Sequence, residues 1–83
     1  MKTDLGNTDF GPLNAKVLKR SISIAGHATS ISLEEPFWEE LKTLAAEKST
    51  SLPMLVAEID SARESISLSS ALRLTVINRL RKA

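Results

Sequence analysis

The chain has 83 residues, with 11 Lys and Arg against 10 Asp and Glu, a single His and no Cys. That length allows one small domain, close to the size at which a single core barely sustains itself, with neither a disulfide staple nor a thiolate metal site. Tight helix packing or oligomerisation is left to stabilise it. No apolar run approaches the ~20 residues of a membrane span. The opening MKTDLGNTDF has no apolar signal-like centre, so a soluble cytoplasmic protein is the expectation.

Enzyme chemistry is poorly served. One His, no Cys and no Tyr leave no clustered metal ligands and no recognisable nucleophile–base pattern. The three glycines, at positions 6, 11 and 26, do not have the spacing of a phosphate-cradling loop. No cofactor is implied, and a non-enzymatic role is expected.

The near-neutral total hides an uneven layout. Residues 1–33 carry Lys2, Lys16, Lys19 and Arg20 against Asp4 and Asp9. Residues 34–64 carry eight acids against Lys42, Lys48 and Arg63. Residues 65–83 carry Arg73, Arg79, Arg81 and Lys82 and no acid. A basic start and end flank an acidic middle, which permits a polyanion partner at one surface without demanding one.

Taken in order, residues 1–15 hold two glycines, a proline and few apolar residues, and read as a flexible or extended arm. The folded domain is expected over 16–83. Ser21-Ile22-Ser23-Ile24 alternates strictly, which predicts a strand. Gly26-His27 reads as a turn or bulge, since glycine takes positive φ without steric cost. Thr29 to Leu33 alternates again, with Ile31 and Leu33 on one face and Ser30 and Ser32 on the other. Two arrangements fit: an intramolecular hairpin, or one long strand over 20–33 kinked at Gly26.

A helix follows at once. Glu34, Glu35 and Pro36 suit a helix N-terminus, and Phe37, Trp38, Leu41, Leu44 and Ala45 make one apolar stripe, predicting a helix from about Glu35 to Lys48. The sole tryptophan, Trp38, lies on that stripe and reads as core. Ser49-Thr50-Ser51 breaks the helix. Ser51 caps a second, running from Leu52 to about Glu64, with Pro53 in its first turn. The serine-rich 65–70 stretch is a second break, with Ser69 or Ser70 capping a third helix that ends near Arg81. Leu72, Val76 and Leu80 form one stripe of that helix, and Ala71, Leu74 and Ile77 a second beside it. So broad a band implies burial on two sides, and hence a dimer. Arg79, Arg81 and Lys82 complement the negative end of the helix dipole.

The order strand, helix, short serine turn, helix is carried by TSISLEEPFWEELKTLAAEKSTSLPMLVAEI. This stretch resembles the ribbon-helix-helix superfamily of small DNA-binding repressors. With RSISIAGHA before it, carrying Arg-Ser, Gly-His, Thr-Ser and Phe-Trp motifs, it is similar to a compact bacterial subgroup of that superfamily. The resemblance covers about residues 20 to 80. It implies a mainly α fold with a short β ribbon: an intertwined homodimer in which each subunit gives one strand to an antiparallel ribbon. The segment before Gly26 departs from that pattern: paired with the ribbon as a hairpin, it would widen the sheet to four strands across the dimer. The C-terminal helix is a third helix. The resemblance also implies a transcriptional regulator whose ribbon enters the DNA major groove, which admits a two-stranded β ribbon.

Carried over by position, the ribbon is Ala28 to Leu33. Ala28, Ser30 and Ser32 point outward, where base-reading side chains sit. Ser51, with the amides of Leu52 and Met54, takes a phosphate-clamp position. Lys16, Lys19, Arg20 and Arg73 would contact phosphates. The sequence departs from the superfamily in that its outward residues are small and neutral, where Arg, Lys, Asn or Gln are common. Serine discriminates bases weakly. The alternative is therefore a dimeric protein-interaction module on the same fold. Partners expected are a second copy of the chain, double-stranded DNA or another protein, and no membrane.

Overall fold

The structure, a computed structural model, describes residues 16–82. The arm expected over 1–15 lies outside the described residues. Two strands, β1 (Val17–Ile24) and β2 (His27–Glu34), are followed by three helices, α1 (Glu35–Glu47), α2 (Leu52–Ala62) and α3 (Leu68–Lys82).

The strands form an antiparallel hairpin running from Val17 opposite Glu34 to Ile24 opposite His27. This decides between the two arrangements the sequence allowed. The turn is Ala25-Gly26 rather than Gly26-His27, and His27 is the first residue of β2. Ala25 and Gly26 have φ of 52° and 83°, the positive pair that a two-residue type I′ turn requires and that matches the strand twist. Side chains opposite one another share a face. Leu18, Arg20, Ile22 and Ile24 therefore lie on the inner face with Leu33, Ile31, Thr29 and His27. Within the chain the sheet has two strands, β1 and β2, paired side by side.

β2 passes into α1 without a loop. Glu34 caps the helix in extended geometry, and Pro36 fits the first turn. The Glu35 amide donates to the Lys16 carbonyl at 2.7 Å, tying the start of the helix to the start of the hairpin. α1 buries Trp38, Leu41 and Ala45. It stops at Glu47, one residue earlier than its stripe predicts, because Ser49 turns into the left-handed region at φ 55°. The Ser49 and Thr50 amides then satisfy the carbonyls of Ala46 and Ala45, the paired closure of a Schellman motif.

α2 is capped as expected: Ser51 Oγ accepts from the Met54 amide at 3.2 Å. It ends at Ala62 rather than near Glu64. Arg63 is its C-cap, bonded to Asp60 at 2.7 Å, and Glu64 has φ 55°. α3 is capped by Ser67, not by Ser69 or Ser70. Ser67 Oγ accepts from the Ser70 amide at 3.1 Å, and the earlier start lets Leu68 pack on the core. Of several serines in a row, the cap is the one whose next residue has somewhere apolar to go.

β1 packs over α2, and β2 over α1 and α3. Leu33, Trp38, Leu41, Val56 and Leu72 are all 0 % exposed, and no polar residue is buried among the described ones. One chain thus closes a core around Trp38, whose Nε1 donates to the Leu18 carbonyl at 3.0 Å. Tryptophan can sit there because its one polar atom finds a partner. α3 is covered on one side only. Ala71, Leu72 and Val76 are buried, while Leu74, Ile77 and Leu80 stay 51 %, 40 % and 47 % exposed.

Candidate nucleic-acid interface

The outer face of the hairpin follows from the register. Strict alternation puts Val17, Lys19, Ser21 and Ser23 of β1 beside Glu34, Ser32, Ser30 and Ala28 of β2. Lys19, Ser21, Ser23, Ala28, Ser30 and Ser32 are all exposed, because the helices pack on the other side. The result is a row of short polar side chains, with Ser21 directly opposite Ser30 and Lys19 opposite Ser32.

The expected site residues fall in three places. Lys19, Ala28, Ser30 and Ser32 come together on the outer face. Arg20 lies on the inner face, opposite Ile31. Its guanidinium carbon is 5.5 Å from the centre of the Trp38 ring, and its Nε is buried without a hydrogen-bond partner among the described residues. Ser51 stands apart from the hairpin at the start of α2, exposed, with its hydroxyl already accepting the Met54 amide. Of the two amides expected for a phosphate there, the one on Met54 is occupied within the chain.

Sequence reasoning missed the β1 half of the outer face, Ser21 and Ser23. The signal was available: a two-residue turn sets the register, and the register sets the face. It also missed how the C-terminal arginines are used. Arg73 makes a two-pronged pair with Glu34, Nε to Oε1 at 3.1 Å and Nη2 to Oε2 at 3.3 Å, with its guanidinium 5.7 Å from the Phe37 ring centre. The Arg73 hydrogen bonds, with a backbone bond adding to them, hold the Glu34 carboxyl below the usual carboxylate range. Arg79 bridges from α3 to α1, 2.7 Å from both Glu40 and Glu47. Its hydrogen bonds lower the Glu47 carboxyl, and that carboxylate in turn raises the arginine. These pairs neutralise two cations that the linear charge layout leaves free for phosphates.

Chemically, the outer face can donate and accept hydrogen bonds through four hydroxyls and can place one cation, Lys19, against a polyanion. Among the described residues, no group of three or more His, Cys, Asp or Glu is placed to hold a metal ion, and no helix is long and apolar enough to cross a membrane.

Comparison with known proteins bears on this geometry. No curated protein matches the chain. Among solved structures it is similar to an uncharacterized protein from Bordetella pertussis Tohama I, with a TM-score of 0.68 and 27% identity. That likeness covers 80% of this chain but 57% of the other, so this chain spans little more than half its relative's length. A family model described as a ribbon-helix-helix domain matches residues 17–80. The match runs from the first residue of β1 to the last turns of α3, and the chain therefore belongs to the ribbon-helix-helix domain family.

Proposed function

We propose that the protein is a DNA-binding transcriptional regulator whose hairpin enters the major groove with its outer face toward the bases. The observation that carries the reading is the bare polar face of the ribbon: six short or basic side chains in register over two strands, with every helix packed behind them. A two-stranded ribbon fits the major groove. Ser21, Ser23, Ser30 and Ser32 donate to or accept from base edges, Ala28 offers an apolar contact to a thymine methyl, and Lys19 reaches a phosphate. The exposed start of α2, at Ser51, receives a second phosphate through the Leu52 amide. Arg20 supports the ribbon from behind. A cytoplasmic location goes with this role.

Serine separates bases weakly, so the contacts are adaptable and specificity is modest. The test is binding of a labelled duplex from the region upstream of the protein's own gene, against a scrambled duplex, across a salt series. Tighter binding to the upstream duplex is expected. Ser30→Glu should weaken it without loss of fold, and Lys19→Ala should reduce the salt slope by about one. The neutrality of the outer face, with Lys19 its one cation, favours a second reading, a protein-interaction module on the same fold. Absence of DNA binding even at low salt would move the conclusion there.

A further inference from the structure

We infer, resting on the hairpin as the DNA-contacting element, that Arg73 of α3 is a positioning residue: it braces the joint between β2 and α1 and so fixes how the ribbon is presented to the groove. β2 ends at Glu34 and α1 begins at Glu35, with no loop between them. Glu34 is the N-cap of α1, yet its side chain makes no cap hydrogen bond. A Ser, Thr, Asp or Asn there would accept from its own helix and tie the entry of the chain locally. The Glu34 carboxylate is taken instead by Arg73, 39 residues away, Nε to Oε1 at 3.1 Å and Nη2 to Oε2 at 3.3 Å. The same guanidinium lies 5.7 Å from the ring centre of Phe37, in the first turn of α1. Arg73 thus holds the last residue of the strand and the first turn of the helix at once. Arginine suits this role, because its planar fork fixes the orientation of a carboxylate and its flat face stacks on an aromatic ring.

A second contact runs in step with the first. One turn earlier on α3, Ser69 Oγ donates to the Ser32 carbonyl at 3.5 Å. Ser69 and Arg73 lie four residues apart on one face of the helix, about 6 Å along its axis. Ser32 and Glu34 lie two residues apart on the strand, about 6.7 Å along it. The two rises nearly match, so α3 follows the end of β2 and holds it at two points, one of them behind the outward Ser32. α3 is itself firmly seated. Leu72 and Val76 are buried in the core, and Arg79 grips Glu40 and Glu47 of α1, each at 2.7 Å. From the other strand, the Lys16 carbonyl accepts the Glu35 amide at 2.7 Å, so the joint is held by β1 as well as by α3. All of these groups belong to one chain. Arg73 therefore acts on DNA through the posture of the ribbon, not as the phosphate contact that its charge suggests.

Arg73→Met and Glu34→Met separate the two roles, measured on the full chain with the upstream duplex across a salt series. Loss of either partner should weaken binding by roughly 3- to 30-fold. The double variant should be no weaker than the worse single, and the salt slope should stay at the parent's. A direct phosphate contact predicts otherwise: Arg73→Met would lower the slope by about 0.9, and Glu34→Met would tighten binding by removing a repelling carboxylate. That pair of results would overturn the inference. So would two variants that melt earlier yet bind as the parent does, which would make the pair a stability contact alone. A parent that does not bind the duplex even at low salt refutes the DNA reading itself, and hydrogen exchange then judges the brace without DNA. In Arg73→Met the Glu35 amide, bonded to Lys16, should exchange about 3-fold faster relative to the Leu55 amide, bonded to Ser51 in α2. An unchanged ratio would reject the brace.

Discussion

Arg20 separates a ribbon read by its outer face from one that also uses its inner cation. Its guanidinium lies over Trp38, and its Nε is buried without a partner among the described residues. Three contributions compete. The three-carbon stem covers the ring; at ~0.8 kcal/mol per fully buried methylene, and about half buried, it is worth roughly 1–1.5 kcal/mol. The cation–π contact adds about 1 kcal/mol. The unpartnered N–H costs about 1–2 kcal/mol. Arg20→Met keeps the stem and sheds the other two, so its stability should lie within about 1 kcal/mol of the parent. Arg20→Ala also loses the stem and some strand preference, so it should fall about 1–1.5 kcal/mol below the Met variant. Urea unfolding followed by circular dichroism measures both. The same variants should bind DNA with the parent's salt slope, because the guanidinium faces the core. If Arg20→Met instead lowers that slope by about 0.9, the arginine was neutralising a phosphate and the inner-face assignment is refuted.

Two kinds of perturbation test the rest of the frame. Ala25 and Ser49 hold positive φ without being glycine, so Ala25→Asn and Ser49→Gly should each stabilise by about 1 kcal/mol and raise the thermal midpoint by roughly 5 °C. Gly26→Ala should do the reverse; an added Cβ meets nothing within 4 Å, so any cost is that of the backbone alone. For pH, Arg73 depresses the Glu34 carboxyl in the folded chain. The pair's contribution is therefore complete above the ordinary value of 4.5 and lost as pH falls through the lower folded value. The stability gap between the parent and Arg73→Ala, followed by thermal melts, should close on acidification; a gap that widened would contradict the pairing.

What was legible in the chain was whatever local periodicity controls. The serine–isoleucine alternation placed both strands, and the stripes of Trp38, Leu41 and Ala45 and of Leu55 and Val56 placed the first two helices within two residues. Helix ends were less legible, since Ser49 and Glu64 adopt a backbone conformation usually left to glycine or asparagine. The turn was displaced by one residue for the same reason: alanine does not advertise positive φ, so Gly26 drew the assignment toward His27. The side on which Arg20 falls was fixed only by the register, and a one-residue shift would have turned it outward with Lys19. Contacts between residues far apart in sequence could not be read at all. Nothing local to Arg79 indicates that it crosses to Glu40 and Glu47.

That last point changes the electrostatic expectation for the whole molecule. Summed along the chain, a basic C-terminal segment follows an acidic middle, which suggests free cations for a polyanion. In the fold, Arg73 and Arg79 are spent on Glu34, Glu40 and Glu47, and Lys48 and Arg63 lie against Glu58 and Asp60. The hairpin is left with Lys16, Lys19 and the inward Arg20 as its cations among the described residues. With one to two of these able to reach phosphates, the salt slope per chain is bounded at about 1–2. Under the proposed function, a ribbon so sparsely charged would have to hold DNA through hydroxyl contacts and through the number of ribbons presented together. An assembly that carries two hairpins would therefore do more for affinity than any single residue on the face.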